Sequence, residues 1–191
     1  MLFISGSEDE AVAAIGRAVE LDPLRALFHT YRAIYSLLLD RPEKAVEHAR
    51  RSLEVDENFP AGILVMGEAL SLLGSNEEGA ALIERASCGV LAGYFYCSLV
   101  AWVYVRSGRN HDAERLRASL IETAKRQYIP AAMIAFLAAA LGDRESALTY
   151  AEQAVHERDP NLPLWIRSRY FQSLRSDPRF DRLLGSTNLD R

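Results

Sequence analysis

The sequence predicts an all-α protein built from stacked helical hairpins, and three observations lead to this fold class. Turn-forming residues recur every 34 residues. Small residues stand at two fixed offsets from these turns. Apolar residues between the turns follow a helical spacing, whereas the alternation typical of strands is weak throughout. Because one helical hairpin cannot bury its apolar face alone, we expect the units to stack on their neighbours.

The repeat register is set by three columns of residues. The turn column is Gly6, Asp40, Gly74, Gly108 and Gly142. Five residues after each turn stand Ala11, Ala45, Gly79, Ala113 and Ala147, and seven residues before the last four stand Ala33, Gly67, Ala101 and Ala135. The turns and the helical spacing between them predict that each unit is a helix, a short turn and a second helix. Small side chains at matched positions of the two helices let their backbones approach closely.

This pattern resembles the tetratricopeptide repeat, which has 34 residues, small residues at positions 8 and 20 and a turn glycine at position 15. The resemblance implies a right-handed superhelix of stacked helical hairpins over residues 1–160. It predicts a partial repeat at 1–25 and full repeats at 26–59, 60–93, 94–127 and 128–160. Residues 161–191 fall outside the register and are expected to form a C-terminal capping helical segment, because apolar and charged residues are interleaved there.

The two ends of the array carry further expectations. In this register Met1 to Ser5 would be the last turn of a helix whose beginning is missing. The chain is then either a C-terminal piece of a longer protein, one that starts at an internal methionine, or one with a short native N-terminal cap. An incomplete first unit leaves an open edge, which predicts a homodimer through Met1 to Val19.

The segment Phe171 to Leu184 resembles the closing element of tetratricopeptide arrays in multidomain bacterial regulators, such as winged-helix transcriptional regulators and adenylate cyclases. This second resemblance implies a regulatory or signalling role for the array. Five arginines are interleaved in the same part of the chain: Arg167, Arg169, Arg175, Arg179 and Arg182. They form either a phosphate site or a solvated helix face, and the lack of a glycine-rich cradle favours the face.

Composition excludes several classes of function. A net charge of −4 and a pI near 5.6 disfavour nucleic acid and anionic membranes as partners. No apolar stretch is long enough to cross a membrane, and the N-terminus lacks the features of a secretion signal. The two cysteines, Cys88 and Cys97, are expected to be core thiols in a reducing compartment, so we predict a cytoplasmic protein.

The sequence predicts no catalytic residues, no metal site and no cofactor. Its four histidines, His29, His48, His111 and His156, are spread along the chain without a metal-binding pair at helical spacing. Motifs for nucleotide binding and for nucleophilic catalysis are missing. An interaction surface is therefore the expected functional feature.

The tetratricopeptide resemblance places that surface in a concave groove lined by the first helix of each unit. The predicted groove residues are Leu64, Glu68, Phe95, Trp102, Arg106 and Phe136. Groove-binders of chaperone C-terminal carboxylates resemble one another in carrying Lys, Arg and Asn here, and in this chain Arg106 alone fits that description. We therefore expect an apolar partner segment, supplied by another protein or peptide, by the chain's own upstream part, or by a second copy. Two alternatives remain: the residues are the plain core of a tight superhelix, or they line an apolar pocket of a small-ligand-sensing domain that signals to a missing effector domain.

Overall fold

The computed structural model describes residues 8–86 and 94–187, and every regular element within these ranges is helical. The helices are α1 (Glu8–Leu21), α2 (Ala26–Leu38), α3 (Pro42–Val55), α4 (Pro60–Leu72), α5 (Asn76–Arg85), α6 (Tyr94–Arg106), α7 (Asn110–Ala124), α8 (Ala131–Ala140), α9 (Arg144–His156), α10 (Leu162–Trp165) and α11 (Pro178–Ser186). A 3₁₀ helix, Arg169–Leu174, lies between α10 and α11. The predicted all-α class is confirmed.

The turns that recur every 34 residues share one backbone geometry. Asp40, Gly74, Gly108 and Gly142 all have positive φ angles, between 57° and 92°. At each turn the residue with positive φ donates its backbone N–H three residues back, and the next residue donates five residues back, as in the pair from Gly74 to Ser71 and from Ser75 to Leu70. This is the Schellman arrangement, which satisfies the last carbonyl groups of a helix and favours glycine because a Cβ atom is strained at positive φ.

The two helices of a unit approach each other most closely at the columns of small residues. Ala33 and Ala45, which face each other between α2 and α3, are fully buried. Between α4 and α5 the contact is tighter still, since a Cβ atom at Gly79 would lie 2.5 Å from the carbonyl oxygen of Gly67. The small side chains thus allow backbone-to-backbone packing.

The hairpins are arranged in two layers. The first helices, α2, α4, α6 and α8, pack side by side as an inner layer, and α3, α5, α7 and α9 each pack against the helix before them. Helix α8 is apolar on all faces, with every residue from Ala131 to Ala139 buried. A helix without a polar face must be covered all round, and here α6, α7, α9 and the 3₁₀ helix cover it.

The chain then folds back onto the array. Asp159 directs this return, because its carboxylate accepts hydrogen bonds from the backbone N–H of Ala132 at 3.0 Å and from that of Asn161 at 2.9 Å. The following residues cross the inner layer, and α11 packs against α9. Arg179 joins these two helices by donating to Glu145 and Glu152 at 2.8–2.9 Å.

Candidate interaction groove

The inner layer holds the predicted groove residues, but most of them are covered. Leu64, Glu68 and Phe136 are at most 1% exposed, Trp102 is half-buried, and Arg106 is exposed. Phe95 falls within α6, and its side chain lies outside the described residues. The groove is therefore not an open apolar surface in this structure.

The chain's own residues 162–174, called the C-terminal segment below, cover the part of this layer around Phe136 and Trp102, whereas Leu64 is buried in a cluster with residues of α4, α5 and α6. The ring of Phe136 stacks on Trp165 with centroids 6.3 Å apart and on Phe171 at 6.1 Å. Tyr170 lies edge-on to Phe136 at 4.4 Å and to Trp102 at 5.5 Å. Such offset and edge-to-face pairs add to the stabilisation that burial of the rings provides. The inner layer thus binds an aromatic stretch of the same chain.

This arrangement corrects the expectation that Leu64, Glu68 and Phe136 line an accessible groove. The repeat register gives the direction in which each side chain points, but not what fills the space in front of it. A signal was present in the sequence: the run from Ala131 to Ala139 has no polar face and therefore needs cover on every side. Whether a partner segment also uses these residues stays a prediction.

Glu68 is a carboxyl group buried within the inner layer, on α4, and 1% of it is exposed. Its Oε1 atom has no hydrogen-bond partner within the described part of the chain. Burial raises the pKa of the Glu68 carboxyl to about 8, and the positive charge of Arg169 opposes part of that rise. At neutral pH the group is therefore mainly protonated and uncharged.

Arg106 forms its contacts within the inner layer. Its guanidinium donates to the backbone oxygen of Ser71 at 3.1 Å and lies over the Trp102 ring, 4.8 Å from the ring centre. The hydroxyl of Ser71 in turn donates to Asn76 at 2.8 Å. Arg106 thus ties α6 to α4 and its turn, and it supports the position of Trp102 by a cation–π contact.

Arg169 joins the C-terminal segment to the end of α2, in the first full hairpin. From the 3₁₀ helix it donates to the backbone oxygen of Leu37 at 2.9 Å and to Oδ1 of Asp40 at 2.6 Å. The apolar side chains of Ile34 and Leu38 in α2 pack against the same core cluster as the C-terminal segment. The first full hairpin and the last segment therefore meet across the inner layer.

Cys97 lies in the core, with 3% of its surface exposed, but it is disulfide-bonded. The expectation of a free core thiol is therefore wrong at this residue, and Cys97 does not support the reducing compartment inferred from it. Cys88 lies outside the described residues.

The described part of the chain shows no cluster of three or more His, Cys, Asp or Glu side chains suited to a metal ion. None of its helices combines the length and apolar character that spanning a membrane requires.

Comparison with known proteins supports the tetratricopeptide resemblance. No family model matches the chain. It is 36% identical over 78 residues to Hsc70-interacting protein 1 of Drosophila melanogaster, covering 41% of this chain and 21% of that protein. It is 33% identical over 82 residues to the TPR repeat-containing thioredoxin TDX of Arabidopsis thaliana, covering 43% and 22%. The chain spans about a fifth of the length of the curated relatives it matches.

A solved structure shows the same fold over nearly the whole chain. The crystal structure of a thermophilic TPR protein from Thermus thermophilus superposes with a TM-score of 0.62 at 20% sequence identity, covering 91% of this chain and 93% of that one. The fold is therefore that of a tetratricopeptide protein, a superhelix of stacked helical hairpins.

Proposed function

We propose that the chain is a non-catalytic protein–protein interaction module that binds an apolar, aromatic segment in the groove of its inner layer. The observation that carries this proposal is the packing of Trp165, Tyr170 and Phe171 on Phe136 and Trp102. This packing indicates the chemistry that the inner layer accommodates. The C-terminal segment holds this place until a partner segment of similar chemistry displaces it.

The chemistry of the groove favours an apolar partner over a terminal carboxylate. One similar protein is named Hsc70-interacting protein 1, so its name points to a chaperone as that protein's partner. However, Arg106 already bonds to Ser71 and stacks on Trp102, and the nearby Glu68 is a buried carboxyl. A carboxylate placed beside them would gain little compensation for losing its hydration.

The proposed setting is the regulatory C-terminal part of a cytoplasmic bacterial transcriptional regulator or signalling protein. It rests on the resemblance of Phe171 to Leu184 to the closing element of such arrays. A homodimer through Met1 to Val19 stays a prediction, and residues 1–7 of that edge lie outside the described residues.

The proposal is tested by letting a synthetic peptide compete with the chain's own segment. In the Tyr170→Ala variant of the full chain, the resident segment loses its contacts with Trp102 and Phe136 while the groove residues stay unchanged. A fluorescent peptide of residues 161–187 should bind this variant at least about ten-fold more tightly than the wild-type chain. The wild-type segment is tethered, so its high effective concentration excludes an external peptide.

Two controls make the result specific. Tyr128→Ala replaces a tyrosine that is 70% exposed, and it should leave peptide binding at the wild-type level. A peptide carrying Trp165→Ala and Phe171→Ala should bind neither chain. The proposal is refuted if the two peptides bind equally well. It is also refuted if the Tyr170→Ala variant, with its helices intact by circular dichroism, binds the peptide no more tightly than wild type does.

A further inference from the structure

A cleft lies where the C-terminal segment meets the end of α2. It has a volume of 280 Å³, and its polar lining includes Asp40, Arg167, Ser168, Arg169 and Arg175. Trp165 and Tyr170 form an aromatic wall of the same cleft. We call it the closure cleft, because it lies at the contact that joins the two ends of the array.

The lining of the closure cleft is rich in positive charge. Asp40 is the one carboxylate among the described lining residues, and it is paired with Arg169. Arg175 donates to the backbone oxygen of Arg167 at 2.8 Å. A backbone oxygen carries no full charge, so this bond positions the Arg175 guanidinium without neutralising it. The cleft therefore suits an anion.

Ser168 supplies an independent observation. Its Oγ atom is buried, yet it has no hydrogen-bond partner within the described residues. The residue precedes the 3₁₀ helix, where a serine hydroxyl commonly caps backbone N–H groups, but here it forms no such bond. A buried hydroxyl without a partner is costly and uncommon in native proteins. Because Ser168 lines the cleft, rotation of its side chain would let this hydroxyl bond to a ligand oxygen there.

The geometry points to a binding site for the phosphoryl group of a small molecule in the closure cleft. Arg169 and Arg175 contribute guanidinium groups, whose planar arrays of N–H donors match phosphate oxygens, and the Ser168 hydroxyl donates a further hydrogen bond. The aromatic wall accommodates an organic part of the ligand. The cleft shares Trp165 and Tyr170 with the aromatic packing on the inner layer. Phosphate binding to the wild-type chain and peptide binding to the Tyr170→Ala variant are separate measurements, so either proposal can fail without the other.

The test is titration of the full chain by calorimetry at pH 7.5 and constant ionic strength, with inorganic phosphate and phenyl phosphate as probes. Both should bind saturably at one site, and chloride and phenol should not. Tighter binding of phenyl phosphate would identify a phosphorylated organic ligand, and equal affinity would identify free phosphate. Arg175→Gln changes an exposed side chain and should weaken binding of both probes about ten-fold.

Matched variants separate a ligand site from general charge effects. Arg126→Gln removes an arginine whose side chain is 81% exposed and that does not line the cleft, so phosphate affinity should be unchanged. Ser168→Ala should weaken phosphate binding several-fold without lowering the melting temperature of the ligand-free chain, because its hydroxyl has no partner to lose among the described residues. The proposal is overturned if no probe binds saturably, if chloride competes equally, or if Arg126→Gln weakens binding as much as the cleft variants.

Discussion

At the scale of single residues, Glu68 is where the sequence conflicts most with its surroundings. An acidic side chain in an apolar layer is stable only when it is paired or protonated. Here the Oε1 atom has no partner in the described part of the chain, and burial raises the pKa of the carboxyl to about 8. The group therefore makes the stability of the protein depend on pH in a range where exposed carboxylates no longer titrate.

The direction of this dependence follows from proton binding. Between pH 6.5 and 8 the folded protein keeps the Glu68 proton that the unfolded chain has lost, so the free energy of unfolding should fall as pH rises, by up to about 1.4 kcal/mol per pH unit. Glu68→Gln, which mimics the neutral acid, should remove this fall and be more stable than wild type at pH 8. Urea unfolding of both proteins at the two pH values measures the difference, in which His48 and other titrating groups cancel. Parallel pH profiles would contradict the assignment.

At the scale of elements, the closest helix contact depends on the absence of two side chains. A Cβ atom at Gly79 would meet the backbone oxygen of Gly67 at 2.5 Å, and a backbone atom cannot move aside as the end of a flexible side chain can. Gly79→Ala should therefore push α4 and α5 apart and lower the free energy of unfolding by about 1–3 kcal/mol. Gly16→Ala is the matched control, because a Cβ atom there meets nothing within 4 Å.

Gly16→Ala, which lies in α1, should stabilise the protein by up to about 1 kcal/mol, since alanine is more favourable than glycine in the interior of a helix. Thermal unfolding followed by circular dichroism measures both effects. The idea of a backbone contact fails if the two variants shift the melting temperature in the same direction.

The elements were predictable from the sequence where local chemistry repeats. Glycine at positive φ and small residues at matched offsets have direct physical causes, so the turns at Gly74, Gly108 and Gly142 follow from their spacing alone. The path of the C-terminal segment could not be predicted from the sequence in this way. Its aromatic residues lie in a four-residue helix and a 3₁₀ turn, where no helical period shows which face is buried. Its docking depends on contacts with helices far away in the sequence.

At the scale of the whole molecule, the contact between the ends changes how the array should behave. A repeat protein whose units touch only their neighbours unfolds by local steps. Here Arg169 bonds to Leu37, 132 residues earlier, and α2 packs on the same cluster as the C-terminal segment. The contact couples the opening of the first hairpin to that of the last.

This coupling can be measured by native-state hydrogen exchange of backbone amides. Arg169→Gln removes the bonds to Leu37 and Asp40, so amides of α2 should exchange about ten-fold faster, whereas those of α8 should change little because Phe136 keeps its aromatic cover. Arg51→Gln, which breaks an exposed ion pair with Glu54 on α3, is the control and should leave α2 unchanged, as such pairs contribute little. An equal acceleration in α2 and α8 would mean general destabilisation. No acceleration in α2 would mean that the apolar packing of Ile34 and Leu38, and not the arginine, holds the ends together.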